Sequence, residues 1–436
     1  MPPSLRASFP RDVLQLCDEF RAKGARVWIV GGGVRDLLLG REAYDFDLAT
    51  DARPERVVKM FKRTIPTGIA HGTVTVLFRG RGYEVTTLRG EEGYADGRRP
   101  DHVEYVDDVE DDLARRDFTV NAIAYDPAAD ALIDPFGGLE DLEARRLRAV
   151  GDPLARFRED GLRILRGARF AATLEFDLDP ETEAAFGPSL DVYAKVSRER
   201  IRDEWVKAFK AREPSRAFEV MARTGILRVT SEVLGRFAEE RPEDFTRALR
   251  AMDACPRDPS LRLAALLALS VADDQGRASP EASAAFAEDF VKELRGTREE
   301  RARIPRWIVG ASALPPADDP VAVRRFVQRI GREDLDPALT LAEVFAEDEA
   351  ARRRVVEVRE TTRRELEAGM AVETRDLAVK GSDVIAALGT GPGKHVGVLL
   401  SMLLDEVTLD PSKNRPEALL AIARELEPRA RELAAK

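Results

Sequence analysis

Cysteine and histidine are the scarcest chemistry in this chain of 436 residues. There are two cysteines, Cys17 and Cys255, and three histidines, His71, His102 and His395. Two cysteines exclude a disulfide scaffold and a cysteine-rich zinc site. No histidine is followed by Asp, which excludes a His-Asp phosphohydrolase site and makes that domain an expected absence. Long apolar runs are missing too. The longest, around 263–269, falls far short of the ~20 residues that cross a bilayer. The first twenty residues hold no uninterrupted apolar core of the signal-peptide kind. A cytoplasmic protein with no membrane partner is expected.

Charge, by contrast, is abundant. Lys and Arg number 69 and Asp and Glu 79, a net of −10, with 34% charged and 44% hydrophobic residues. That balance belongs to a soluble, folded chain and not to a disordered one. An acidic total argues against a protein coated with nucleic acid, but affinity follows local phosphate contacts rather than the net sum. The basic residues are mostly Arg and cluster at 156–169, 295–306 and 352–364, each interleaved with Glu. Such mixed-sign helices read either as solvated faces laced with i,i+4 pairs or as surfaces for RNA phosphates.

Residues 1–138 read as mixed α/β. An amphipathic helix at 12–22 precedes a β-branched and aromatic run, 26–30, that ends in three glycines. Further strands are expected at 44–49, 73–78 and 83–88, the last two joined by Arg-Gly-Arg-Gly at 79–82, a hairpin signal. The polar stretch 90–101 reads as a loop. From 139 onward the pattern is helical and punctuated by proline, with 312–320 as the best linker. The expected architecture is an α/β head followed by a long all-α remainder.

Six motifs carry chemistry. GGGVRD at 31–36 closes a strand and opens a helix, where glycines let backbone approach a phosphate and a helix start favours anions; a tight turn is the plainer reading. Asp45-Phe46-Asp47 follows. On a strand, residues i and i+2 share a face, so the two carboxylates would converge, a costly pair unless cations sit between them. Two Mg²⁺ ions would relieve it and suit an in-line phosphoryl displacement. RRDFTVNA at 115–122 sets an Arg pair beside Asp117 and Asn121. ALIDPFGGL at 131–139 ends a strand at the compositional boundary. RFREDGLRILRGARF at 156–170 repeats polar residues every third position. On one continuous helix that ridge winds by about 60° per step, so Asp160, Arg163 and Arg166 share a flank and Arg169 faces the opposite side. SRERIRDE at 197–204 sets Arg200 and Glu204 at i,i+4, an expected ion pair.

These six motifs in this order resemble the class II tRNA nucleotidyltransferase and poly(A) polymerase family, and among its members the bacterial CCA-adding enzymes. The resemblance is strong over 27–209 and present in VKGSDVIAALGTGPGKHVGVLL at 379–400. It implies a polymerase-β-type nucleotidyltransferase head (1–138), a helical neck with the base-reading residues (139–213), a helical body (214–310) and a tRNA-binding tail (311–436). It implies that Gly32 and Arg35 hold the triphosphate, Asp45 and Asp47 bind Mg²⁺, and Arg116 contacts the sugar. Asp160, Arg163, Arg166 and Arg169 would be the nucleotide-binding residues of the neck, and the Asp-Pro at 134–135 a hinge. Glu84, on the hairpin strand, is a candidate third carboxylate, or simply an exposed strand residue.

The implied reaction is attack of an RNA 3′-hydroxyl on the α-phosphorus of CTP or ATP with loss of pyrophosphate. Base choice has a donor–acceptor logic. A carboxylate only accepts and a guanidinium only donates. Asp160 could accept from the exocyclic amine of cytosine or adenine while Arg163 donates to the neighbouring ring nitrogen; guanine and uracil present the reverse. Among siblings, GIAHGTVTV at 68–76 and a loop containing Arg98-x-x-Asp101 resemble CCA-adding members, and a basic signature of bacterial poly(A) polymerases is absent. CCA addition to the tRNA 3′ end is therefore expected, with A-only addition, poly(A) synthesis and a catalytically silent RNA-binding protein as alternatives. Oligomeric state is not legible.

Overall fold

The structure is a computed structural model that describes residues 5–69, 72–90 and 105–435. The expectations resting on His71, His102 and the Arg98-x-x-Asp101 element lie outside the described residues. The chain forms two compact units, Met1–Glu240 and Arg241–Lys436.

The first unit opens with helix α1 (Arg11–Ala22), whose Val13, Leu16, Cys17 and Phe20 recur at helical spacing and are buried. Strand β1 (Val27–Val30) is buried along its whole length. Helix α2 (Gly32–Leu38) leads to β2 (Asp47–Thr50), α3 (Pro54–Met60), β3 (Thr64–Gly68), β4 (Thr73–Phe78) and β5 (Arg81–Thr87). Arg79 and Gly80 both take positive φ, 49° and 83°, as a tight two-residue hairpin requires. After α4 (Val109–Ala114), strands β6 (Ala124–Asp126) and β7 (Ala131–Ile133) complete a seven-stranded sheet in the order β3-β4-β5-β2-β1-β6-β7 among the described residues. Only β2 and β5 pair in parallel; the other neighbours are antiparallel. This mixed sheet followed by helices is the expected architecture.

Helices α5 (Gly138–Glu143), α6 (Pro153–Glu159) and α7 (Leu162–Leu174) follow. Asp134 caps α5, accepting from the backbone of Gly138 at 2.7 Å and Leu139 at 2.9 Å. A short parallel pair, Arg146–Leu147 with Asp177–Leu178, interrupts the region expected to be wholly helical. Phe118, from the Arg-pair motif, packs against Phe157 of α6 and Phe170 of α7 at 6.3 and 5.8 Å between ring centroids. That aromatic contact fixes the helices to the sheet's own segment, and so fixes which side chains face each other.

Two sequence expectations fail here. Strand β2 starts at Asp47, so Asp45 lies before the strand, and the two carboxylates do not share a face by strand alternation. The ridge at 156–170 is not one helix. Asp160 is extended (φ −146°, ψ 105°) between α6 and α7, so the helical winding that turned Arg169 away does not apply. The break coincides with a contact from far along the chain. A Cβ on Gly161 would stand 2.5 Å from the Tyr193 backbone nitrogen, so the chain passes there at backbone contact.

The second unit is helical from Pro242–Ala254 to Pro416–Ala435. Prolines open several of its helices behind capping side chains, as Asp258, Ser279 and Asp319 do, the expected division of labour at a helix start. The segment 312–320 lies inside this unit, and its Leu314 and Ala317 pack against a core built on Val323, Phe326, Val327 and Leu339. Many arginines of 295–306 and 352–364 are paired: Arg303 and Arg306 with buried Asp334, and Arg359 with Asp336 and Glu343.

Candidate active site

Strand β1 delivers the chain to Gly31, whose φ of 77° and ψ of −142° only glycine adopts without strain. The same turn is crowded: a Cβ there would lie 3.1 Å from Arg116 Nη1 and 3.5 Å from Asp47 Oδ2. Asp47 enters from β2, opposite Val30 in the antiparallel register. Parallel pairing of β2 with β5 sets Leu48 beside Val85 and Ala49 beside Thr86. Asp47 therefore shares a sheet face with Glu84 and Thr86, and all three line one cavity.

Electrostatics mark this face. Burial, with the nearby charges of Asp45 and Glu84, pushes the Asp47 carboxyl up to about 6, against the opposing pull of Arg116. Arg116 is the local counter-charge. It contacts Asp112 at 3.2 Å and the Asn121 carbonyl at 3.3 Å, and its Nε is buried with no hydrogen-bond partner. Arg35 is buried against Asn121 and Asp36, with its guanidinium 5.4 Å from the Phe170 ring centre.

The opposite wall is built from α7 and the helix Arg198–Ala208. Arg166 donates to buried Asp117 at 2.7 Å, holding that carboxyl far below the usual range once its desolvation is overcome. Arg169 meets Glu204, and Lys207 meets the other Glu204 oxygen at 3.0 Å. Burial alone would raise the Glu204 carboxyl, yet the cations around it hold it low. Arg163 donates to Glu159 at 2.5 Å and to the main-chain oxygens of Arg156 and Arg115 at 2.9 and 2.8 Å. Asp160 accepts from Leu162 N at 3.0 Å and from Arg200 Nη2 at 2.7 Å.

The two walls enclose a cavity of about 570 Å³. Of the residues singled out from the sequence, Gly32, Arg35, Glu84, Asp47, Arg116, Asp160, Arg163, Arg166 and Arg169 line it. Asp45 does not; it is exposed beside the cavity and acts on Asp47 through its charge. The expected Arg200–Glu204 pair is not formed, because each side chain reaches a partner on the preceding motif instead. Sequence reading did not bring Lys207 or Phe170 into the site. Arg200, Glu204 and Lys207 fall at i, i+4 and i+7, one helix face, and that spacing was the available signal.

Fold and site together define a protein with a nucleotidyltransferase head. Residues 27–148 match the family described as the poly A polymerase head domain, and 175–235 match a probable RNA- and SrmB-binding site of polymerase A. The CCA-adding enzyme of Lactobacillus johnsonii is 49% identical over 213 residues, so the aligned part of the chain spans about half of that relative, 53% of its length. The CCA-adding enzyme of Leuconostoc citreum is 32% identical over 431 residues, covering 96% of this chain and 98% of that enzyme. The crystal structure of the Bacillus stearothermophilus CCA-adding enzyme in complex with CTP superposes with a TM-score of 0.77 at 30% identity, over 99% of both chains. The chain belongs to the family of the CCA-adding enzymes.

Proposed function

We propose that this protein adds C, C and A to the 3′ end of tRNA from CTP and ATP, by Mg²⁺-dependent nucleotidyl transfer that releases pyrophosphate. The observation that supports it best is a cavity that sets carboxylates on the sheet face against an arginine-rich wall. Such a cavity suits a triphosphate: charge to be neutralised on one side, donors on the other.

The donor set fits Mg²⁺. Asp45, Asp47 and Glu84 supply hard carboxylate oxygens, and the Asp47 carboxyl, raised by burial and then by the charges of Asp45 and Glu84, is one whose ionised form a cation would favour. Among the described residues no three acidic, His or Cys groups are gathered as a ready metal cluster. The remaining ligands of such an ion would be phosphate oxygens and water. When bound, such an ion would lower the cost of ionising the attacking hydroxyl and of charge on the leaving pyrophosphate. Asp45 and Asp47 would hold it, with Glu84 beside them. Gly32 and Arg35 would bracket the triphosphate, and Arg116, freed of its role as counter-charge to Asp47, would reach the sugar.

Asp160 and Arg163 would read the base. Asp160 spends one bond on each oxygen, which leaves lone pairs for an exocyclic amine. Arg163 has three of its five N–H groups engaged among the described residues, which leaves Nε and one Nη2 hydrogen for a ring nitrogen. A base presenting a carbonyl and an N–H there would leave both groups unpaired, at roughly 1–3 kcal/mol each.

The test is incorporation of labelled CTP and ATP into tRNA lacking its 3′ end. Two C and one A, then arrest, is the expected product. A alone on a CC end means an A-adding enzyme, long A runs mean a poly(A) polymerase, and no incorporation means a binding protein.

A further inference from the structure

Asp160 is the least anchored member of the neck wall by its own backbone. It stands in the gap between α6 and α7, outside any helix. Gly161 fixes the chain path behind it by touching the Tyr193 backbone, but nothing in that contact orients the carboxylate. Two bonds do. Leu162 N holds Oδ1 at 3.0 Å, and Arg200 Nη2 holds Oδ2 at 2.7 Å from forty residues further along the chain. Arg200 stands on the helix Arg198–Ala208 one turn before Glu204 and lines the cavity together with Lys207 of the same helix. Its side chain is 44% exposed, so the fold does not depend on burying it.

We infer that Arg200 is a specificity-determining positioning residue: by holding one oxygen of Asp160, it fixes the direction in which that carboxylate presents an acceptor to the base. The inference rests on the proposed base-reading role of Asp160. Without Arg200 the carboxylate keeps only its bond to Leu162 N and can swing about its side-chain torsions. A swinging acceptor no longer penalises a base with a carbonyl at that point, because it can turn away to water. Discrimination falls while the triphosphate contacts and the sheet carboxylates stay as they were.

Single-nucleotide incorporation on tRNA substrates, with CTP, ATP, UTP and GTP, reads this directly. Arg200→Met is expected to reduce the ratio of kcat/KM for correct over incorrect bases by on the order of tenfold, the scale of one charge-assisted hydrogen bond. Most of the change should fall in KM for the correct nucleotides, and Arg200→Lys should restore part of the ratio, since a single donor suffices. A purely structural role would lower kcat/KM for all four nucleotides together and leave the ratio untouched; that result overturns the inference. Asp160→Ala, measured alongside, separates the two layers. If it changes base choice and Arg200→Met does not, only the role of Arg200 fails. If Asp160→Ala leaves base choice unchanged, the base-reading role fails and Arg200 falls with it. In the double variant Arg200→Met should add nothing to Asp160→Ala; independent, additive losses would also overturn the coupling. Should Arg200→Met unfold the protein, Arg200→Gln serves the same comparison.

Discussion

Asp47 predicts a trade between stability and catalysis that can be measured without any substrate. Its carboxyl titrates near 6 in the folded protein against an ordinary value of 3.8, because burial and the charges of Asp45 and Glu84 outweigh Arg116. Between those values the folded state holds more protons than the unfolded chain. Stability from this group is therefore full at low pH, falls as pH rises, and has been lost above about 6. At about 1.4 kcal/mol per pK unit, a two-unit elevation corresponds to ~3 kcal/mol, and partial solvent access reduces that to roughly 1–2 kcal/mol. Asp47→Asn keeps the shape and removes the charge. In metal-chelated buffer near pH 8 the variant should unfold at a higher temperature than the unmodified protein, by about 2–4 °C per kcal/mol for a unit of this size. The gap should close only as pH falls below the ordinary value of 3.8, where the carboxyl is protonated in both states. Added Mg²⁺ should narrow it from the other side, by stabilising only the protein that keeps Asp47. Nucleotide addition by the variant should be lost while tRNA still binds. A variant less stable than its parent at pH 8, or a difference that does not change with pH, would refute the reasoning.

Further outcomes concern the neck wall and the pH profile. Glu204→Gln leaves Arg169 facing a neutral group in a nearly closed site, with Glu204 only 3% exposed; a loss of about 3 kcal/mol in denaturant unfolding and a higher KM for both nucleotides are expected. Gly161→Ala would force a methyl against the Tyr193 backbone; calorimetry should show a loss of roughly 1–3 kcal/mol, with base choice disturbed as Asp160 shifts. At limiting Mg²⁺ the rate of nucleotide addition should rise with pH through about 6 as Asp47 loses its proton. More Mg²⁺ should move that midpoint lower, and a rate flat across this range would contradict a metal-binding role for Asp47.

Where a residue acts through its near neighbours, the sequence was enough. Val27–Val30 ending in glycines follows from local patterning and is found as expected; the hairpin read from Arg-Gly-Arg-Gly at 79–82 is found too, with a tighter turn at Arg79-Gly80 and Arg81 and Gly82 already paired in β5. Of the site residues named from the sequence, all but Asp45 line one cavity. What escaped were partners chosen over long range by flexible side chains. Helical spacing paired Arg200 with Glu204, but an arginine arm reaches a second motif as easily as the next turn, and both residues do so. The break at Asp160 escaped for a related reason. Its cause is backbone contact with residue 193, more than thirty positions away, which no local period records. The start of β2 was misplaced because Asp45 and Phe46 sit over Gly33 of α2 rather than in the sheet, a packing constraint invisible to alternation.

The most direct measurement is a crystal structure of the protein with Mg²⁺, a non-hydrolysable CTP analogue and tRNA ending before its CCA. The expected result is an ion about 2.0–2.1 Å from oxygens of Asp45 and Asp47, with the triphosphate on Arg35 and the cytosine amine on Asp160. An ion bound away from both carboxylates, or a base that meets neither Asp160 nor Arg163, would contradict it.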